Sequence, residues 1–233
     1  MGLEERWGHV VDILRDIIPV YDKVNAYISL GHDKEYRRNG IRGEVNDNNI
    51  ILDAGSGFGN MSKTAMELCN NLSIVMYDPL LPMLRNTLNM FDTAPDMTNG
   101  IFEHLPFRDK TFDAVMCGYS LRDAINLRVA VGELHRVTKD GGRLIVVDLG
   151  KPDNIIIRTG VSFYLRMILP VLALMAGGRL GLKFAALYDT YKKWPTNNSL
   201  KDILLEKYES VQIQKGMMGG AVMVVAYKSR VYA

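Results

Sequence analysis

Apolar residues are laid along this chain in two rhythms, one with the spacing of a helix face and one in short unbroken runs. Near the start, Val10, Val11, Leu14, Ile17 and Ile18 keep the helical spacing, which predicts a helix over Trp7–Ile18 that Pro19 interrupts. A second helix is expected next, with Tyr21 and Asn25 on one of its faces. Charged residues dominate His32–Arg42, which reads as a solvated connection. The runs and helical stretches then alternate. Ile50–Asp53, Ser73–Tyr77, Phe112–Cys117 and Arg143–Leu149 suit buried strands. Between them Asn60–Leu68, Met83–Phe91 and Val129–Thr138 suit helices, the last with Leu134 and Val137 facing in, and Gly141-Gly142 makes a turn. This alternation predicts an α/β fold, a mostly parallel sheet with helices on both faces and ligands at the carboxyl ends of its strands. Val211–Gln214 and Ala221–Tyr227, separated by Gly216 and Gly219-Gly220, predict an antiparallel closing pair.

Lys151–Lys207 is too long for a simple crossover and rich in aliphatic residues. The expected organisation is one domain over 1–233, with a helical cover at 1–45 and an apolar lid at 151–207. Met167–Gly178 is nearly all apolar but shorter than the ~20 residues of a membrane span, and Pro170, Gly177 and Gly178 are expected to disturb it. Arg166 and Arg179 flank it. A greasy substrate cover, a segment lying in a bilayer surface and a buried helix packed on the sheet all fit this pattern.

The chain has 233 residues, 48% hydrophobic and 23% charged, enough for one domain with a full core. A formal net charge of +2 without a dense basic run argues against a nucleic-acid partner. Cys69 and Cys117 lack metal-ligand spacing, so two reduced core thiols and no metal are expected. Met1–Arg6 shows no signal-peptide pattern, which predicts a mature start there and a cytoplasmic location.

The most informative stretch is Ile50-Ile51-Leu52-Asp53-Ala54-Gly55-Ser56-Gly57-Phe58-Gly59, with Asp78 closing the next apolar run. A strand, a glycine loop and a helix let the main chain approach a ligand closely. Dinucleotide enzymes share this design, but they want a third glycine or alanine where Asn60 stands. The tighter Gly55-x-Gly57-x-Gly59 spacing suits S-adenosylmethionine, with Asp78 taking both ribose hydroxyls.

Four further segments carry a resemblance. They are Tyr21-Asp22-Lys23-Val24-Asn25 with Ser29-Leu30-Gly31 and Tyr36-Arg37-Arg38; Asp78-Pro79-Leu80-Leu81-Pro82-Met83-Leu84; Glu103-His104-Leu105-Pro106-Phe107 with Phe112-Asp113; and Tyr119-Ser120-Leu121-Arg122-Asp123 through Leu134-His135-Arg136-Val137 to Gly150-Lys151-Pro152. Together with Tyr188, Trp194-Pro195, Ser199-Leu200 and Gly219-Gly220-Ala221 they resemble the C-methyltransferase family of ubiquinone and menaquinone biosynthesis, over nearly the whole chain. The resemblance implies a Rossmann-like class I methyltransferase fold with a seven-stranded sheet. It implies S-adenosylmethionine as cofactor, held around Asp53, Gly55, Gly57, Phe58, Gly59, Asp78, Pro79, Ile101, Phe102 and Gly118. The chain departs from the family pattern at several places. Phe58 and Asn60 stand where a threonine and an acid are usual, and Ile101 and Phe102 where a small polar residue and alanine are usual. Gly118 replaces a serine, and Asp123 an asparagine.

The implied reaction methylates a ring carbon of a polyprenylated quinol precursor. Arg122 is the candidate for stabilising a phenolate, and Asp123 for accepting its proton or orienting Arg122. An Asp123 that merely caps a helix is the competing reading. Tyr21, Asn25, Tyr119 and Tyr188 are candidates for substrate contact, and each is equally open to a packing role. The implied partners are a lipidic quinol, a membrane surface touched peripherally on its inner face, and a second copy of the chain; a monomer fits as well. Another small lipid or aromatic acceptor, a non-catalytic S-adenosylmethionine-binding protein and a dinucleotide oxidoreductase are the alternatives, the last disfavoured by Asn60.

Overall fold

The computed structural model describes residues 31–87, 91 and 95–230. Tyr21, Asn25 and the helix expected over Trp7–Ile18 lie outside the described residues. Strands β1 (Ile50–Ala54), β2 (Ser73–Asp78), β3 (Asp96–Asn99), β4 (Phe112–Gly118) and β5 (Thr138–Leu149) run parallel. Strand β7 (Ala221–Tyr227) lies antiparallel between β5 and β6 (Ser210–Gly216), giving a seven-stranded sheet in the order β3-β2-β1-β4-β5-β7-β6. The order reverses between β1 and β4, which is where open α/β sheets bind ligands.

Alternation along the strands builds both core layers. On one face Leu52, Val115, Cys117, Leu144, Val146 and Val224 pack with Leu134 of α4 (Leu127–Val137) and Leu200 of α8 (Asn197–Leu205). On the other, Ile51, Met76, Met116, Ile145 and Met223 meet Ile41 of α1 (Asp33–Ile41), Met61 and Ala65 of α2 (Asn60–Leu68) and Leu84 of α3 (Leu81–Thr87). Each such aliphatic side chain contributes about 1.5–3 kcal/mol by leaving water.

Three expectations are corrected. His32–Arg42 is not a solvated connection: α1 occupies it and buries Arg37, Gly40 and Ile41, because Gly40 and Ile41 pack on the sheet and Arg37 enters the cleft. Gly141-Gly142 does not precede the fifth strand but sits inside it, where Gly141 takes φ +74 and the register shifts between Phe112 and Ala114. Met167–Gly178 is not an isolated short segment. Helix α5 (Ile155–Phe163), a π turn (Tyr164–Ile168) and α6 (Leu169–Gly177) lie within one helical stretch, Ile155–Leu180, of 26 residues. That is roughly 39 Å at the α-helical rise. Pro170 follows directly on the π turn, whose wider bonding, with the Leu169 N–H on the Tyr164 carbonyl, carries the helix past the missing proline N–H without a break.

One stripe of this stretch, Leu165, Leu169, Ala173 and Ala176, packs with Tyr191 of α7 (Ala186–Lys193). The opposite side leaves Phe163, Met167, Val171 and Met175 exposed. The segment 151–207 is pinned to the end of β5 and to the β6–β7 turn. Trp194 Nε1 donates to the Leu149 carbonyl at 2.9 Å, and the buried Asn197 amide donates to the Gly219 carbonyl at 3.0 Å. Lys151 Nζ donates to the carbonyls of Lys192 and Trp194, closing the C-terminal end of α7.

Candidate active site

Two adjoining cavities open at the carboxyl ends of the strands. The first follows the loop after β1. Gly55 takes φ +68, and a Cβ there would lie 2.5 Å from the Ser120 side chain, so only glycine lets the loop pass the end of β4. Beneath the loop Asp53 is fully buried and accepts from the Ser62 N–H and hydroxyl at 3.1 and 2.6 Å, which ties α2 to β1. Asp78, at the end of β2, accepts from the Gly57 N–H and the Leu80 N–H, each at 2.8 Å. Burial pushes its carboxyl up to about 6 against these two stabilising bonds. Tyr77 Oη lies 2.9 Å from the carbonyls of both Ile101 and His104, fixing the loop after β3.

The second cavity, about 560 Å³, is walled by α1, the end of β5, α5, the π turn and the β6–β7 turn. Its lining is mainly apolar, including Leu149, Ile157, Val161 and Leu187. Met217 and Met218, both with left-handed backbone, close one side, and Met218 is 82% exposed. Arg122 supplies a cation to this wall. Its Nη1 lies 2.5 Å from Asp148, a residue with no exposure at all. Arg37 and Tyr119 line both cavities, and the Arg37 guanidinium stands 4.9 Å over the Tyr119 ring. Burial raises the Tyr119 hydroxyl well above its ordinary pKa, so it remains a donor at any working pH.

Most of the expected residues meet here. Gly55, Gly57, Phe58, Asp78, Pro79, Ile101, Phe102 and Gly118 line the first cavity. Asp53 and Gly59 shape its loop from behind, Gly59 as the N-cap of α2. Gly118 has a local cause, since a Cβ there would lie 2.4 Å from Met61 Cγ. The neighbours Arg122 and Asp123 part company on their 3₁₀ turn: Arg122 faces the second cavity and Asp123 the first. Asp123 is not a helix cap, because Asn126 accepts from the N–H groups of Arg128 and Val129 at the start of α4. Its carboxyl, raised to about 6 chiefly by burial, lies 3.9 Å from Arg122 Nε. Tyr188 lines neither cavity; it stacks on Tyr191 of the same helix, α7, with Lys192 Nζ over its ring. Sequence reasoning missed Asp33, Arg37 and the Met217-Met218 turn. Of these, only Arg37 carried a signal, as the centre of Tyr36-Arg37-Arg38.

The residues fit S-adenosylmethionine. Gly55 clears the backbone, and each Asp78 oxygen keeps a lone pair for a ribose hydroxyl. Fold and site together define a class I S-adenosylmethionine-dependent methyltransferase. The fold is similar to that of a SAM-dependent methyltransferase from Thermotoga maritima, with a TM-score of 0.66 at 14% identity over 94% of this chain and 99% of that one. The model of the ubiE/COQ5 methyltransferase family matches residues 2–228, and the chain belongs to that family. It is 29% identical over 228 residues to a demethylmenaquinone methyltransferase of Paenarthrobacter aurescens, covering 96% of this chain and 87% of that protein. It is 27% identical over 212 residues to the ubiquinone/menaquinone biosynthesis C-methyltransferase UbiE of Geobacter sulfurreducens, covering 87% and 81%.

Proposed function

We propose that the chain methylates a ring carbon of a polyprenylated quinol precursor, as in menaquinone or ubiquinone biosynthesis. The observation that carries this reading is the apolar cavity of about 560 Å³ that meets the cofactor cleft at Tyr119 and has the Arg122 cation in its wall. The names of the relatives point to the same acceptor. S-adenosylmethionine, when bound, supplies a methyl group on a positively charged sulfur.

Ring carbons become nucleophilic when a neighbouring hydroxyl loses its proton. Arg122 offers the resulting phenolate a charge that does not titrate, and the buried Asp148 carboxylate fixes its direction. Asp123 stands on the cofactor side, which favours its role as the residue that orients Arg122 over that of proton acceptor. The hydroxyl proton therefore passes to water at the cavity mouth, and the proton of the methylated ring carbon returns to the ring oxygen by the same route. The apolar walls exclude water, and opposite charges that cancel during reaction gain rate in a dry site. The prenyl chain runs between α5 and the Met217-Met218 turn, toward the exposed apolar side of the lid.

That side fits a bilayer. A helix apolar all round belongs in a core or against lipid, and only one stripe of this one is covered. Arg158, Arg166, Arg179 and Lys183 lie along or beside it, as at an anionic surface. The enzyme therefore works from the cytoplasm on the inner face of the membrane.

The test presents S-adenosylmethionine and a demethylated prenylnaphthoquinol in anionic vesicles, with mass analysis of the quinol. A quinol one methyl heavier is expected, together with co-sedimentation that the Ile156→Glu/Met175→Glu pair abolishes. A protein that binds the cofactor yet leaves the quinol unmethylated would rule out this acceptor.

A further inference from the structure

Arg37 occupies the seam between the two cavities, and its side chain is only 8% exposed. Its Nη1 bonds Asp33 at 2.5 Å, its ring-facing side rests on Tyr119, and its Nε is buried with no hydrogen-bond partner among the described residues. Because Arg37 lines both cavities, a carboxylate brought by a ligand can share its fork of donors with Asp33.

The cofactor brings one. Asp78 receives the ribose at the end of β2, and the adenine is expected beside Ile101 and Phe102 beyond it. The amino-acid half is thereby left at the other end of the cleft, over Gly55 and toward Tyr119 at the end of β4. Its carboxylate needs donors there. The side chain at position 58 of the loop, a phenylalanine that is itself 8% exposed, cannot donate to it. A guanidinium matches a carboxylate in shape and charge.

We propose that Arg37 binds the α-carboxylate of the methionine half of S-adenosylmethionine, with Asp33 and Tyr119 as the supports that hold its guanidinium in the seam. The proposal rests on the cofactor assignment and adds a specificity residue to it. An anchor on α1 also makes this helix, which covers the cleft from outside the sheet, part of cofactor recognition.

Calorimetric titration separates the two ends of the ligand. The probes are S-adenosylhomocysteine and S-adenosyl-3-thiopropylamine, the same molecule without its carboxylate. Wild type is expected to bind the first about 10–100-fold more tightly. Arg37→Met should lose that factor on S-adenosylhomocysteine, hold within about twofold on the amine, and so no longer tell the two apart. Should Arg37→Met not fold, Arg37→Lys gives the same reading, with a smaller loss again confined to the carboxylate ligand. Equal losses on both probes mean a purely structural arginine and overturn the proposal, as does a wild type that does not discriminate between them. A wild type that binds neither probe removes the cofactor assignment itself.

Discussion

The cofactor cleft and the acceptor cavity share a wall, yet they are made from different kinds of sequence. The cleft is local. Short segments at the ends of β1, β2 and β4 supply it, and its polar groups are fixed by backbone bonds such as those from Gly57 and Leu80 to Asp78. The cavity is assembled from side chains between Asp33 and Ala221 that meet only in the folded chain, and its charge sits in two pairs, Arg122 with Asp148 and Arg37 with Asp33. A ligand that carries its own hydrogen-bonding pattern is met by preset backbone geometry. A greasy ligand asks for volume, dryness and one cation, which many arrangements can provide.

The strongest way to break this division is to remove the cation. Arg122→Met made together with Asp148→Asn leaves only the part-exposed Asp123 without its cation, and should lower kcat by about 10²–10³-fold. Cofactor affinity is expected to stay within about twofold. Stopped assays at saturating quinol, with parallel titrations, give both quantities.

A smaller effect probes how far the cleft is shaped by its own neighbours. Gly118→Ser adds a Cβ 2.4 Å from Met61 Cγ, which should destabilise the fold by about 1–3 kcal/mol. Pairing it with Met61→Ala should return part of that loss in a thermal melt. An unchanged melt for Gly118→Ser alone would show that Met61 moves aside freely.

The smallest effect is in the pH dependence of cofactor binding. Asp78 titrates at about 6 in the free protein and must be ionised to accept two ribose hydroxyls, so binding draws its pKa down. Affinity is then flat above about pH 7 and weakens as pH falls through 6, by at most about tenfold per unit. Asp123 is raised to about 6 as well, so the profile should be taken in Asp123→Asn also. A profile that stays flat to pH 5 would detach Asp78 from the ligand.

What could be read before folding follows the same line. The loop from Asp53 to Gly59 and the acid at Asp78 were legible because their function depends on spacing along a few consecutive residues. Arg122 was legible from its motif, but its facing a different cavity from Asp123 was not, since this depends on a 3₁₀ turn only three residues long. Helix α1 was hidden by its own composition: Lys34, Glu35 and Arg38 are solvated, and only Arg37, Gly40 and Ile41 are buried. Strand β3, Asp96–Asn99, has neither an apolar run nor alternation, and it forms because β2 offers it an edge. The long helix Ile155–Leu180 was obscured by Pro170, whose effect depends on whether the turn before it widens to accommodate the missing N–H.

The measurement that tests the two-compartment account most directly is titration of S-adenosylhomocysteine into wild type, Asp78→Ala and the Arg122→Met/Asp148→Asn pair. The account predicts that Asp78→Ala loses about 1–3 kcal/mol of binding, while the pair binds like wild type and fails only in methyl transfer. Equal weakening in both variants, or none in Asp78→Ala, would contradict it.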